Sequence, residues 1–396
     1  MPRQLVGADE ELAARRAWVR ALAAPEPGML SAWLGRHVPR QEDLAWLSRQ
    51  GLVLFAYYRL QQAELLERLP SDVAARWAEI YQQGTVGIAS MDWEIERVLL
   101  ALTQTGVDFI WLKGGALAYA VYPNPACRAR GDLDLWVQAE QLPLATAALQ
   151  GLGYRLHGKL DRPDALALLV GGEQQMVHSN SVVGLIELQW PALRGEWVRH
   201  TTAVDHAAIW QRRSPVAVVS QSFYAMASED ALIHLCVHQA INHQFSAPSW
   251  LRNLLDIHLL VATQSLDWNQ LVDSAIRWRL ATVVWTVLRL SQRLLDTPLP
   301  AASLQALAPS RWQRWLIDRL DLDRSLLTMQ ARGYGHYRFV IQLVLVDRAR
   351  DGARLLWRGL APEAAWLQAR YSVAPGRSLW RLRLLHVWRV ATSARA

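Results

Sequence analysis

The ten residues CRARGDLDLW, at positions 127–136, constrain the fold more than any other part of the chain. In DLDLWV the side chains alternate with the period of a strand. Asp132 and Asp134 therefore project to one face, while Leu133, Leu135 and Val137 project to the other. The aliphatic face requires a sheet covered on that side. The acidic face requires a cation, because like charges so close in an apolar setting do not both stay ionised without one. Oxygen-only ligands on a rigid strand suit Mg²⁺ or Mn²⁺.

The neighbouring segments extend this pattern. GVDFIWLKGG reads as a short buried strand ending at Gly114 and Gly115, and ALAYAVY as a turn or two of helix before the break at PNPAC. A strand-to-helix turn without side chains lets backbone N–H groups and a helix N-terminus approach a polyphosphate. Lys113, Arg128 and Arg130 are placed to neutralise it. Further on, AEQLPLATAALQGLGY reads as helix and EQQMVHSNSVVGLIELQW as a hairpin around Asn180 and Ser181. Glu187 then falls in a strand core among Leu185, Ile186 and Leu188, where an unpaired acid is costly. With Asp132 and Asp134 it makes a candidate set of three metal-binding and catalytic carboxylates. Two ions about 3.5–4 Å apart in such a set stabilise the attacking and leaving oxygens of a phosphate displacement.

The segments flanking this mixed middle third are helical. Apolar residues recur at three- and four-residue spacing from Glu10 to about Gln83, and a helix is predicted from Ser90 as N-cap to Gly106. The same period returns from about Ser222 in EDALIHLCVHQAINH, WLRNLLDIHLLVAT and DWNQLVDSAIRWRLATVVWTVLRLSQRLL, before PLPAASLQALAP breaks it. The expected fold is α+β: a small mixed sheet flanked by N-terminal and C-terminal helical regions. The expected divisions are an N-terminal helical region at 1–88, the α+β core at 89–215, a helical domain at 216–310 and a basic helical region at 311–396.

Composition narrows the classes further. The apolar fraction of 52% over 396 residues supports a buried core. No apolar run reaches the ~20 residues that span a bilayer; runs such as Phe339 to Val346, broken by Gln342, fall well short. The N-terminal residues lack the order of a secretory signal. Cys127 and Cys236 are the two cysteines and form no paired spacing, so a reducing cytoplasm is the expected location. The net charge of +7 is compatible with nucleotides, nucleic acid or an acidic surface. Among 42 basic residues only Lys113 and Lys159 are lysines.

In the order LKGGALAYAVYP, CRARGDLDLWV, LGY, LIELQW, SEDALIHLCVH and LRNLLDIHLL, the chain resembles the uncharacterised bacterial nucleotidyltransferase family of the DNA polymerase β-like superfamily. Gly114 and Gly115 match that superfamily's glycine turn, Asp132 and Asp134 its DxD pair, and Glu187 its third acid. Arg128 matches the arginine four residues before the first aspartate in toxin-type relatives. The chain departs from the family at Glu187, Leu188, Gln189 and Trp190, where Asp-Leu-His-Trp is more usual. The resemblance implies transfer of a nucleoside monophosphate from an NTP, ATP among the candidates, to an acceptor hydroxyl, with release of pyrophosphate. It also implies two Mg²⁺ or Mn²⁺ ions on Asp132 and Asp134, with Glu187 binding the catalytic ion and helping to deprotonate the acceptor.

The sequence leaves the acceptor open among small molecule, peptide, protein and RNA. A nucleotide-binding adaptor of a biosynthetic or polysaccharide cluster and a toxin-like tRNA nucleotidyltransferase are the alternatives. His234 and His238 lie one helical turn apart with His243 nearby, but without the HExxH glutamate a structural or substrate-facing role is expected. Arg252 and Asp256 have the spacing of a surface helix pair, while the resemblance implies a packing role against the catalytic sheet as the alternative. The tryptophans, such as Trp278 and Trp285, fall at core spacing. The terminal arginines, with Trp380, Leu382, Leu385 and Trp388, make either an amphipathic closing helix or a peripheral contact with an anionic surface.

Overall fold

The computed structural model describes residues 2–158, 172–218, 221–245, 250–328, 337–373 and 379–393; Lys159, Arg377 and Arg395 lie outside this set. The fold is α+β, as expected. Seven strands, β1 (Phe109–Trp111), β2 (Asp132–Val137), β3 (Arg155–His157), β4 (Glu173–Val177), β5 (Leu185–Gln189), β6 (Ser214–Val218) and β7 (Gln221–Ala225), form one sheet in the order β3-β4-β5-β2-β1-β7-β6. The predicted hairpin is present as the antiparallel pair β4–β5. The central strand β2 runs antiparallel to β1 and parallel to β5.

Because β2 is central, its two faces meet two different cores. Leu133, Leu135 and Val137 are fully buried beneath Val98, Leu99 and Leu102 of a long helix, with Leu149 of the helix Leu142–Gly151 in the same cluster. Truncating Leu135 to alanine there costs about 2–5 kcal/mol on general grounds. Trp136, pointing the other way, meets Trp210 edge-on at 5.0 Å and belongs to a larger core. That core is continuous from the N-terminal helices, through Trp18, Trp46 and Trp77, to the helices Ser228–Val237, Trp250–Thr263 and Ala281–Leu295. Trp278 and Trp285 are buried within it.

Two expectations are corrected and one is refined. Ser90 is not an N-cap: one helix runs from Ser71 to Gln104, and the Ser90 hydroxyl donates back to the Val86 carbonyl at 3.1 Å. Packing carries the helix through Gly84. A Cβ on Gly84 would lie 2.6 Å from Leu54 Cδ2, so this glycine admits a neighbouring helix and does not end its own. The helical period read over DWNQ to RLL is borne out by two helices, Trp268–Arg277 and Ala281–Leu295, separated at Arg279, whose φ is +61°. PLPAASLQALAP, read as a break, contains the helix Ala301–Leu307.

The segment SEDALIHLCVHQAINH forms the helix Ser228–Val237 and then a π-turn over His238–Asn242. Such turns re-aim side chains within a helix and are frequent at functional sites. Beyond residue 337, the helices Ala349–Leu360 and Ala364–Tyr371 approach the helix Glu196–Thr201 that follows β5. Trp197 Nε1 donates to the Gln342 carbonyl at 2.9 Å, and Arg358 pairs with Glu363 at 2.8 Å. Among the described residues no helix is long and apolar enough to cross a membrane.

Candidate active site

The parallel register of β2 and β5 places Asp134 directly opposite Glu187 and Asp132 opposite Leu185. Side chains at paired positions of neighbouring strands share a face, so the two acids converge. Asp134 is buried, Glu187 is partly buried and Asp132 is exposed at the mouth. Between the two inner acids lies Lys113. Its ammonium is 2.6 Å from Asp134 Oδ1 and 3.8 Å from Glu187 Oε2.

Further groups, not identified from the sequence, complete this network. Gln189, two residues after Glu187 and on the same face of β5, donates to Asp134 Oδ1 at 2.8 Å. Gln175, opposite Glu187 in the β4–β5 register, donates to Glu187 Oε1 at 2.7 Å. Arg194 pairs with Glu173 and lies 3.5 Å from Glu187 Oε2. The signal that could have revealed the first two was the period-two run in EQQ and ELQ, which puts an amide beside each acid.

The charges respond to this environment. Burial pushes the Asp134 carboxyl up to about 7, with Asp132 and Glu187 adding to the rise against the pull of Lys113. Burial alone would lower the Lys113 ammonium, but Asp134 and Glu187 outweigh it and hold it above its ordinary value. Glu187 is also penalised by burial, yet Lys113, Arg194 and the Gln175 hydrogen bond bring it below the usual carboxylate range. A cationic charge balance is thus built into the site.

The KGG turn is shaped by close packing. Lys113 itself has φ +56°, a left-handed conformation that costs a lysine on the order of 1 kcal/mol. A Cβ on Gly114 would lie 2.2 Å from the Arg128 Cζ, and one on Gly115 would lie 2.3 Å from Trp111 Nε1. The missing side chains are therefore accounted for by a guanidinium and an indole packed against the helix Lys113–Ala120.

Both flanking arginines have carboxylate partners inside the protein. Arg128 makes a bidentate pair with Asp256, Nε to Oδ1 at 3.0 Å and Nη2 to Oδ2 at 2.7 Å. Tyr122 donates a third hydrogen bond to Asp256 Oδ1 at 2.7 Å. Asp256 is fully buried, so the expected surface pairing of Arg252 with Asp256 is replaced: Arg252 donates to the Ala129 carbonyl at 3.1 Å. Arg130 pairs with Asp92 at 2.6 Å and stacks over Tyr119.

His234, His238 and His243 lie beside the acids, the last two on the wall of the same cavity. The His234 and His238 rings stack at 6.2 Å, and His238 Nε2 shares a hydrogen bond with His243 Nε2 at 2.8 Å. Burial, followed by the nearby Lys113 and Arg194 charges, lowers His234 to about 3. His238 is depressed by burial, Lys113 and its neighbouring histidines, and His243 by burial and Lys113. The trio is therefore neutral. Among the described residues, no three His, Cys, Asp or Glu side chains form a ready-made metal cage. Lys113 takes up the space between Asp134 and Glu187.

A cavity of about 1180 Å³ opens over the acids. Lys113, Asp132 and Glu187 form part of its wall, and Leu356, Arg358 and Trp366 from the C-terminal helices form another part. That volume exceeds the ~300–1,000 Å³ of ordinary ligand pockets, so the cleft can hold more than one reactant.

No curated protein matches the chain. The crystal structure of an antigenic nucleotidyltransferase-like protein from Paracoccidioides brasiliensis is similar at 16% identity, covering 53% of this chain and 90% of that one, with a TM-score of 0.31. The family model described as an uncharacterised nucleotidyltransferase matches residues 38–296, well over half of the chain, which therefore belongs to that nucleotidyltransferase family.

Proposed function

We propose that the chain transfers a nucleoside monophosphate from an NTP to an acceptor hydroxyl in a reaction that needs Mg²⁺ or Mn²⁺. The observation carrying this reading is the in-register convergence of Asp134 and Glu187 at the cavity wall, with Asp132 at its mouth. The residues fit a divalent ion by two criteria. All three are oxygen donors on adjoining strands, and a positive charge, the Lys113 ammonium, already stands between two of them. Asp132, Asp134 and Glu187 would hold the metal. When bound, it supplies the charge that neutralises the triphosphate and polarises the reacting oxygens.

The chain's own groups account for the rest. Glu187, on the cavity wall beside Asp134, would help to take up the acceptor's hydroxyl proton. The acceptor oxygen bonds to the α-phosphorus, the bond from that phosphorus to the bridging oxygen breaks, and pyrophosphate leaves. Gln189 and Gln175 hold Asp134 and Glu187 in position through their amide hydrogen bonds. The Arg128–Asp256 pair fixes the KGG turn from behind. We assign the acceptor to the side of the cavity walled by the helices after residue 337, and the reaction to the cytoplasm.

The test is label transfer from α-phosphate-labelled NTPs, with Mg²⁺ or Mn²⁺, into the small-molecule, protein and RNA fractions of a bacterial lysate. Asp132→Ala combined with Asp134→Ala should abolish a transfer that the wild-type chain performs. Equal transfer by both forms, or none by either, removes the proposal.

A further inference from the structure

Within that nucleotidyltransferase reading, we propose that Lys113 is a tethered counter-ion that changes partners: it neutralises Asp134 and Glu187 in the nucleotide-free chain and moves to the polyphosphate when a divalent cation and NTP enter. Three separate observations support the assignment. First, the ammonium stands between two of the carboxylates that would hold the metal, 2.6 Å from Asp134 Oδ1 and 3.8 Å from Glu187 Oε2. The two cations exclude one another, so Lys113 must leave for the metal to bind.

Second, the chain uses lysine at just two of 42 basic positions, and one of them is this site. An arginine presents a planar fork that locks onto one carboxylate. A lysine presents a compact charge on a flexible stem that can swing between partners and bind phosphate as a point charge. The neighbouring arginines, 128 and 130, illustrate the contrast, since each is held by an internal carboxylate. Third, Lys113 has its strained left-handed backbone at the first residue of the helix Lys113–Ala120, and its side chain lines the cavity. Strain of this kind persists where the surroundings impose it and clusters at switching and ligand-clamping positions.

The consequence is ordered loading. Metal alone has to displace the ammonium with nothing to receive it. Metal with NTP offers Lys113 a new anion, so nucleotide and metal binding reinforce each other.

The experiment uses the full chain and Mn²⁺. Lysine acylation followed by mass spectrometry reads Lys113 directly, with Lys159 as the internal reference. Lys113 should react slowly in the free chain, several-fold faster under saturating Mn²⁺, and slowly again with Mn²⁺ plus a nonhydrolysable NTP. In calorimetry Lys113→Met should bind Mn²⁺ about tenfold or more tightly than the wild-type chain, since a like charge beside the site is gone. Mn²⁺ binding to the wild-type chain without any change in Lys113 reactivity overturns the proposal and leaves the nucleotidyltransferase reading intact. Equal affinity of the two forms does the same. Absence of Mn²⁺ binding by either form, with or without NTP, overturns the metal-dependent reading as well.

Discussion

Removing the Asp256 carboxylate tests the frame behind the site. Arg128 and Asp256 are both almost completely buried, and their two parallel hydrogen bonds are 3.0 and 2.7 Å long. Asp256→Ala leaves a guanidinium without its counter-charge in a region closed to water, and losing one partner of such a pair costs about 3–5 kcal/mol. Tyr122→Phe removes only the third hydrogen bond to that carboxylate and should cost about 1.5–3 kcal/mol. Arg128→Met strands the carboxylate instead and should resemble Asp256→Ala. Combining Arg128→Met with Asp256→Leu removes both charges at once, so the double variant should be less destabilised than either charge-stranding single variant. Urea unfolding followed by tryptophan fluorescence gives all four values. Single losses under about 1 kcal/mol, or losses that simply add in a double variant, would refute the claim that one desolvated pair holds the turn.

Two further outcomes follow from the packing and the pH response. Gly115→Ala forces a methyl group to within 2.3 Å of the buried Trp111 indole nitrogen and should cost about 1–3 kcal/mol in the same unfolding assay; a neutral effect would mean the turn has room to spare. Burial holds His206 at about 4, below its ordinary 6.5, so its contribution to stability is present above pH 6.5 and lost as pH falls through 4. The full contribution is up to about 3 kcal/mol, and the urea midpoint of His206→Phe should fall less on acidification than that of the wild-type chain; equal falls would contradict it.

The α+β class and the β4–β5 hairpin were legible because period-two and period-3.6 patterns report local geometry directly. DLDLWV showed its acidic and aliphatic faces, and ELQ carried Glu187 on a strand as expected. The helix runs on through Gly84, where the sequence suggested a new start at Ser90. At Gly84 the reason is Leu54, thirty residues earlier in the chain, packed against the helix. Partners distant in sequence were invisible for the same reason. Nothing local to Arg128 indicates that its charge is spent on Asp256, 128 residues later, or that Arg130 faces Asp92. Nor does the KGG stretch reveal that Lys113 bridges two acids, which requires the parallel register of β2 and β5. The C-terminal wall of the cavity was equally hidden, since the arginine-rich pattern describes a helix and not what it covers.

Anomalous scattering from Mn²⁺, in crystals grown with a nonhydrolysable NTP, locates the ion, the triphosphate and Lys113 in one experiment. The expected map holds an ion bound by Asp132, Asp134 and Glu187, the triphosphate attached to it, and the Lys113 ammonium moved from Asp134 to a phosphate oxygen. A nucleotide bound away from these carboxylates, or bound there with no ion and Lys113 still bridging Asp134 and Glu187, would contradict it.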